Sequence, residues 1–160
     1  LDKIYMEQVA TFSEVDRDPA ERTISTAYYA LINIQEHNDK LNKQFSANWF
    51  SISEAPALIF DHNVMVSSAI TLLRDRASTK PIGFELLPAK FTMRHLQNLY
   101  EAIWNLKIDK RNFINKINAL GIVEKLDEKD KESSRKGSFL YQFNAASFDQ
   151  NSGKQFILKF

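Results

Sequence analysis

The sequence predicts an α+β protein with an α/β part followed by two helices and a β-hairpin. The 160 residues are 44% hydrophobic and 26% charged, which suits a globular protein of one large or two small domains. Strand-like alternation and one helical repeat fill the first half, whereas the second half has two helical repeats and then two strand-like segments. These patterns predict two folded parts in series.

Composition excludes several classes of protein. No apolar run approaches the roughly 18 residues of a membrane-spanning helix, and the N-terminal residues lack the pattern of a secretory signal. The chain has no Cys, which excludes disulfides and thiolate metal sites and fits a reducing compartment. We therefore expect a cytoplasmic protein without a membrane partner. The first of four glycines is Gly83, so a Gly-rich phosphate loop cannot precede it.

The net charge of +1 conceals two segments of opposite sign. Residues 1–87 contain 8 basic and 12 acidic side chains and sum to −4, whereas residues 88–160 contain 13 and 8 and sum to +5. This contrast predicts that the second segment contacts a polyanion. Chance clustering of surface charges is the alternative.

The first half is predicted to contain strands and one helix. Residues 5–14 alternate as a strand with Met6, Ala10 and Phe12 on one face, and residues 48–52 form a shorter strand. Residues 21–34 are rich in β-branched and aromatic side chains and predict a central strand. One face of that strand would carry Ile24, Thr26, Tyr28, Ala30 and Ile32.

A helix is predicted next at residues 62–77, with Asp61 as its cap. Three strands and one helix make a thin half-domain, so we expect that chain upstream of Leu1 completes it.

Capping residues mark the bounds of two predicted helices in the second half. Thr92 is a good N-cap for a helix that ends near Asn105, and Asp109 can cap a second helix that stops at Gly121. Strands are predicted at Ile122–Leu126 and Phe139–Phe143 on either side of a polar hairpin. This order of elements is typical of a winged helix-turn-helix. Residues 145–160 form an extension, either a last strand or a tail.

Cationic and amide side chains concentrate on the second of these helices. Guanidinium and carboxamide groups match the edges of guanine and adenine, so Arg111 with Asn112 or Asn115 would read bases, while Lys110 and Lys116 neutralise phosphates. A basic hairpin tip would touch the DNA backbone through Ser134, Arg135 and Lys136. The alternatives are a solvated helix face and a surface for an acidic protein partner.

Four stretches together resemble the Nudix-related transcriptional regulators, the group that includes the NrtR and AraR types. They are EQVATFSEVDRDPAERTISTAYYALI, NWFSISEAPALIFDHNVMVSSAITLL, LLPAKFTMRHLQNLYEAIWNLKIDKRNF and GSFLYQF. The resemblance implies the C-terminal part of a Nudix-like sensor domain at residues 1–80, a linker at 81–90 and a winged helix at 91–144.

The resemblance also implies a function. Such a protein is an effector-responsive regulator, here a repressor of sugar or NAD-related metabolism, that binds a palindromic operator as a homodimer. Its effector would be ADP-ribose or a pentose such as L-arabinose, and the DRDPAER and AYYALI runs look closer to the sugar branch. Arg17, Asp18 and Arg22 would line the effector pocket, because Arg suits phosphate and carboxylate suits sugar hydroxyls. An exposed salt-bridged turn is the alternative for these three residues.

The resemblance places the Nudix catalytic box upstream of Leu1. The chain lacks the glycines that bracket this box and the Glu cluster that holds the Mg²⁺ used to hydrolyse nucleoside diphosphates. We therefore expect no enzyme activity, no cofactor and no metal site, with a Nudix hydrolase carrying an appended module as the alternative. His37, His62 and His95 are expected to be structural or on the surface, and Trp49 and Trp104 to belong to the core.

Overall fold

The computed structural model describes residues 4–34, 48–131, 137–144, 146 and 156–160. The chain divides into two compact units, Leu1–Leu72 and Leu73–Phe160. Within the described residues, no helix combines the length and apolarity that crossing a membrane requires.

The first unit is built on an antiparallel hairpin of β1 (Tyr5–Phe12) and β2 (Ser25–Leu31). Its register runs from the pair Tyr5 and Leu31 to the pair Phe12 and Ser25, with a bulge between Gln8 and Ala10. A bulge places an extra residue in one strand and reverses the facing of the residues beyond it. Met6 therefore lies on the opposite face from Ala10 and Phe12 and is 65% exposed, so the single face predicted for these three residues was wrong.

Strand β2 alternates as predicted. The even-numbered residues share a face, but that face is exposed, with Ile24 63% and Tyr28 55% accessible. The partly covered face carries Ala27, Tyr29 and Leu31, because the Tyr29 ring lies 6.0 Å from the Tyr5 ring across the hairpin. Among the described residues β2 pairs only with β1, so the prediction of a central strand was wrong here.

Residues 48–52 are not a strand. The chain there is irregular and enters a 3₁₀ turn at Ile52–Glu54, closed by the Glu54 amide donating to the Ser51 carbonyl at 2.9 Å. The turn satisfies backbone groups locally, which a strand would have to satisfy through a neighbour. Trp49 is 42% exposed, so its predicted place in the core was wrong.

Helix α1 spans His62–Thr79 and confirms the helix predicted from the apolar repeat. Its first turn closes through the Asp61 carbonyl, which accepts from the Val64 amide at 2.8 Å. The helix begins in the first unit and ends in the second, where Ala77 is fully buried.

Two capped helices form the centre of the second unit. Helix α2 (Met93–Trp104) begins with a capping box in which Thr92 Oγ1 accepts from the His95 amide at 3.2 Å and His95 Nδ1 accepts from the Thr92 amide. Helix α3 (Lys110–Leu120) begins at Asp109, whose Oδ1 accepts from the Asn112 amide at 2.8 Å. Gly121, with φ of 66°, ends α3 in the left-handed conformation that glycine takes most easily. Both predicted helices and their caps are confirmed.

A three-stranded antiparallel sheet completes the second unit, in the order β3 (Phe91–Thr92), β5 (Ser138–Phe143), β4 (Val123–Asp130). The two longer strands confirm the predicted hairpin, although β4 continues four residues beyond the predicted end at Leu126. Strand β3 was missed because two residues are too few to show an alternating pattern.

The core of the second unit extends further along the chain than the predicted winged helix. Residues 81–90 lie inside this unit rather than forming a separate linker, and Ile82 is 3% exposed. At the far end Phe156 and Leu158 are 5% and 0% exposed, so part of the predicted extension is core. The remaining buried apolar side chains include Phe91, Leu96, Tyr100, Phe113, Ile117 and Ile122.

The Thr92 cap yields a stability prediction. We expect Thr92→Ala to lower the free energy of unfolding by about 1 kcal/mol, because the His95 amide loses its acceptor in a site only 1% exposed. Thr92→Ser keeps the hydroxyl and is the matched control. Urea unfolding followed by circular dichroism measures both, and equal losses for Ala and Ser would contradict the capping role.

Candidate nucleic-acid interface

Helix α3 has a buried side and a polar side. Phe113 and Ile117 are fully buried, whereas Lys110, Arg111, Asn112 and Asn115 are exposed. Successive helical residues are rotated by about 100°, so Arg111 and Asn115 project almost opposite to the two buried side chains. Four of the predicted DNA-contacting residues are thus present together on the exposed surface of one helix.

The turn between α2 and α3 is fixed by the Glu101 carboxylate. Its Oε1 accepts from the Ile108 amide at 2.9 Å and from Gln97 Nε2 at 3.1 Å, and its Oε2 accepts from Lys107 Nζ at 3.1 Å. Gln97 Nε2 also donates to the Ile108 carbonyl at 2.9 Å. The pKa of Glu101 lies below its usual value, mainly because its carboxylate accepts from the Ile108 amide and secondly because it accepts from the Lys107 ammonium. Sequence reasoning missed this residue, although a Glu one turn before the helix end is a visible signal.

Lys116 is placed differently from the other predicted cations. It lies on the flank of α3, where its ammonium donates to the Lys159 carbonyl and sits 4.7 Å from the centre of the Phe160 ring. A phosphate contact by Lys116 remains a prediction, but the described structure already gives this ammonium two partners within the chain.

The hairpin carries a cationic feature that sequence reasoning missed. Lys125 Nζ and Lys129 Nζ lie 3.6 Å and 4.7 Å from the centre of the Phe139 ring. The pairing of β4 with β5 is irregular between these two lysines, which allows both to reach the same ring. The predicted tip residues Ser134, Arg135 and Lys136 fall outside the described residues.

In the first unit, Arg17 forms an ion pair within the chain. Its Nε and Nη2 donate to Asp61 Oδ2 and Oδ1 at 2.8 Å each, and Nη1 donates to Ser25 Oγ at 2.9 Å. The Arg17 and Asp61 side chains are 4% and 22% exposed. The hydrogen bonds to Asp61 raise the pKa of Arg17, and Arg17 in turn lowers the pKa of the Asp61 carboxyl. Asp61 therefore ties the loop to the start of α1, and its side chain as the cap of that helix remains a prediction.

The other two predicted effector residues also take part in local bonds. Asp18 accepts from the Ala20 amide at 2.9 Å and from Thr23 Oγ1 at 3.2 Å. Arg22 is exposed and donates from Nη1 to the Ser13 carbonyl at 2.6 Å. The structure brings the three residues into one loop, and their role in binding an effector remains a prediction.

The histidines and carboxylates do not gather into a metal-binding group within the described residues. His95 is part of the Thr92 capping box, and His62 packs edge-on against Phe60. His37 falls outside the described residues. Trp104 is partly buried, as predicted, with its ring 5.1 Å from that of Tyr100.

The order of β3, α2, α3, β4 and β5 defines the second unit as a winged helix-turn-helix. Residues 83–143 match the family described as the NrtR DNA-binding winged helix domain. This match confirms that the chain resembles Nudix-related regulators of the NrtR type.

Whole-chain comparisons agree with that family. The chain is 29% identical over 153 residues to the ADPR responsive transcriptional repressor NtrR of Acinetobacter baylyi, covering 94% of the chain and 61% of the repressor. It thus spans less than two thirds of that relative.

Two solved structures share the fold. The Shewanella oneidensis NrtR complexed with a 27mer DNA matches with a TM-score of 0.76 at 21% identity, over 97% of this chain and 70% of that one. A MutT/nudix family protein from Enterococcus faecalis matches with a TM-score of 0.53 at 21% identity, over 88% of this chain and 62% of that one. The predicted α+β class, with a Nudix-like part and a winged helix, is confirmed.

The buried ion pair yields a prediction about the first unit. We expect Arg17→Ala and Asp61→Ala each to lower the melting temperature, because either change leaves the opposite charge without its partner. The melting temperature of the double variant should be little lower than that of either single variant, since both changes remove the same interaction. Arg22→Ala, at an exposed arginine of the same loop, is the matched control. Additive losses in thermal unfolding would contradict a shared ion pair.

Proposed function

We propose that this chain belongs to a transcriptional repressor that binds operator DNA through its winged helix. The observation that carries the proposal is that Lys110, Arg111, Asn112 and Asn115 are all exposed on α3. In a winged helix the second helix of the helix-turn-helix enters the major groove. The likeness to a repressor from Acinetobacter baylyi and the match to a DNA-binding family support it.

The proposed chemistry of recognition depends on the exposed side chains. Arg111 is proposed to donate two hydrogen bonds to a guanine, and Asn112 or Asn115 to pair with an adenine edge, whereas Lys110 neutralises a phosphate. The hairpin would touch the sugar-phosphate backbone through Ser134, Arg135 and Lys136. A homodimer on a palindromic operator is the arrangement proposed, because two-fold symmetry matches two half-sites to two subunits. A DNA partner also fits the cytoplasmic location expected for the chain.

The proposed effector is ADP-ribose or a closely related nucleotide, because the relative from Acinetobacter baylyi is named as ADPR responsive. Arg22 is the best-placed residue of the predicted effector set, since its guanidinium is exposed whereas that of Arg17 is committed to Asp61. A pentose effector, to which the DRDPAER and AYYALI runs point, is the alternative.

A Nudix hydrolase with an appended winged helix is the second candidate function. The likeness in fold to the MutT/nudix family protein from Enterococcus faecalis favours it. Turnover of ADP-ribose with Mg²⁺ would support this candidate, whereas binding of ADP-ribose without turnover supports the repressor.

DNA recognition by α3 can be tested with two variants, one that removes a proposed base contact and one that removes a proposed phosphate contact. The test uses duplexes that the wild-type chain selects from a random pool. Arg111→Ala should lower the binding free energy by about 1 to 3 kcal/mol, and only for sequences that carry the contacted base. Lys110→Ala should weaken binding to all duplexes. It should also lower by about 1 the salt slope, which is the steepness with which the logarithm of the binding constant falls with the logarithm of the salt concentration. Lys80→Ala removes an exposed cation that lies outside α2, α3 and the hairpin, and is the matched control. Fluorescence anisotropy at several salt concentrations measures all of these, and wild-type binding without salt dependence would overturn the proposal.

Effector binding can be tested by thermal shift with ADP-ribose, L-arabinose and xylose. A ligand that binds only the folded state at about 100 times its Kd adds about 2.7 kcal/mol to the free energy of unfolding. We expect ADP-ribose alone to raise the melting temperature and to release the selected duplex, and Arg22→Ala to reduce both effects. Asp16→Ala, at another exposed charged residue of the loop, is the control. A shift with a pentose and none with ADP-ribose would contradict the nucleotide effector.

A further inference from the structure

The C-terminal segment Phe156–Phe160 packs into the second unit although it lies far along the chain from the helices it contacts. Phe156 and Leu158 are 5% and 0% exposed, whereas Ile157 is 49% exposed. The Leu158 amide donates to the Ser78 carbonyl at 2.9 Å in the last turns of α1. The segment is therefore anchored by both buried side chains and a backbone hydrogen bond.

Phe160 connects this segment to both helices of the helix-turn-helix. Its ring centre lies 5.7 Å from that of Trp104 at the end of α2 and 5.7 Å from that of Phe113 in α3, where the planes differ by only 27°. Aromatic pairs at such separations attract each other beyond the burial of area alone. The segment consequently bridges α1, α2 and α3.

Lys116 holds the segment from the side of α3. Its ammonium lies 4.7 Å from the centre of the Phe160 ring and donates to the Lys159 carbonyl. At about 100° per residue, Lys116 lies only about 60° from Phe113 and about 100° from Asn115. Its side chain therefore leaves α3 beside the buried face, one turn after Asn112, and its ammonium reaches the segment at Lys159 and Phe160.

We propose that the C-terminal segment positions α3 for DNA, and that Lys116 anchors this segment instead of binding a phosphate. The inference rests on the proposed function and narrows it, because it removes Lys116 from the contact surface and adds Phe160 as a positioning residue. Trp104, Phe113 and Lys116 meet the same ring, so loss of that ring frees α3 at both its buried face and its flank.

The test uses Trp104 as a local reporter in a Trp49→Phe background, which removes the other tryptophan of the chain. Phe160→Ala removes the ring, and Phe160→Tyr restores it at a position that is 41% exposed. Lys116→Met keeps the apolar stem and removes the ammonium. Ile157→Ala, at the exposed position of the same segment, is the matched control.

We expect Phe160→Ala to shift the Trp104 emission to longer wavelength. Binding to the selected duplexes should weaken roughly fivefold, which is the ratio that corresponds to the energy of one exposed cation–π contact. The salt slope should stay unchanged, because no phosphate contact is removed. Phe160→Tyr and Ile157→Ala should behave as the wild type. Lys116→Met should shift the emission in the same direction and leave the salt slope unchanged.

A fall of about 1 in the salt slope for Lys116→Met, with unchanged Trp104 emission, would show that Lys116 binds phosphate and would overturn the inference. Wild-type emission and affinity in Phe160→Ala would overturn it as well. If the wild-type chain binds no duplex, the proposed function fails, and amide hydrogen exchange in α3 then tests the segment alone. Faster exchange in Phe160→Ala supports the inference, and equal exchange overturns it.

Discussion

The orientation of α3 depends on the carboxylate of Glu101. Four hydrogen bonds among Glu101, Gln97, Lys107 and Ile108 close the turn that joins the two helices. A helix that reads base edges must hold its side chains within fractions of an ångström, and rigid support from neighbouring groups gives that precision. Because the Glu101 carboxylate accepts from a backbone amide as well as from side chains, it fixes the main chain of the turn itself. The turn and the burial of Phe113 and Ile117 together fix the direction in which the exposed side chains of α3 point.

The surface of α3 is divided between side chains that pack in the core and side chains that are exposed. Phe113 and Ile117 are fully buried against the rest of the unit, and the opposite side carries Arg111 and Asn115. Lys116 lies between these regions, and its contacts with Phe160 and Lys159 assign it to the packed side. A cation on this helix can therefore serve packing as well as charge, and its position on the helix shows which contacts it makes. The +5 of residues 88–160 includes Lys125 and Lys129, which lie over the Phe139 ring.

Features set by neighbouring residues could be predicted from the sequence, and features set by distant residues could not. The caps at Thr92 and Asp109 and the stop at Gly121 depend on hydrogen bonds within one turn, so their residue types identify them. The bulge in β1 reversed a predicted face, because alternation assumes an unbroken period of two. Arg17 and Asp61 are 44 residues apart, and no local pattern indicates which of several acidic residues will meet that arginine. The C-terminal segment could be predicted only as a strand or a tail for the same reason, since its contacts with α1, α2 and α3 lie outside any local window.

The Arg17 and Asp61 pair shows why residue type alone does not identify an effector site. An arginine in a polar loop suits a phosphate by its geometry, and it suits a carboxylate of its own chain equally well. In the structure Arg17 Nε and Nη2 both face Asp61, and the Arg17 side chain is 4% exposed. An anion that reached this guanidinium would have to displace a carboxylate already desolvated beside it, which is costly for a partly buried pair. Arg22 faces no such competition, because its partner is the neutral carbonyl of Ser13 in an exposed position. Within this loop, the guanidinium of Arg22 is therefore more accessible to an external acceptor than that of Arg17.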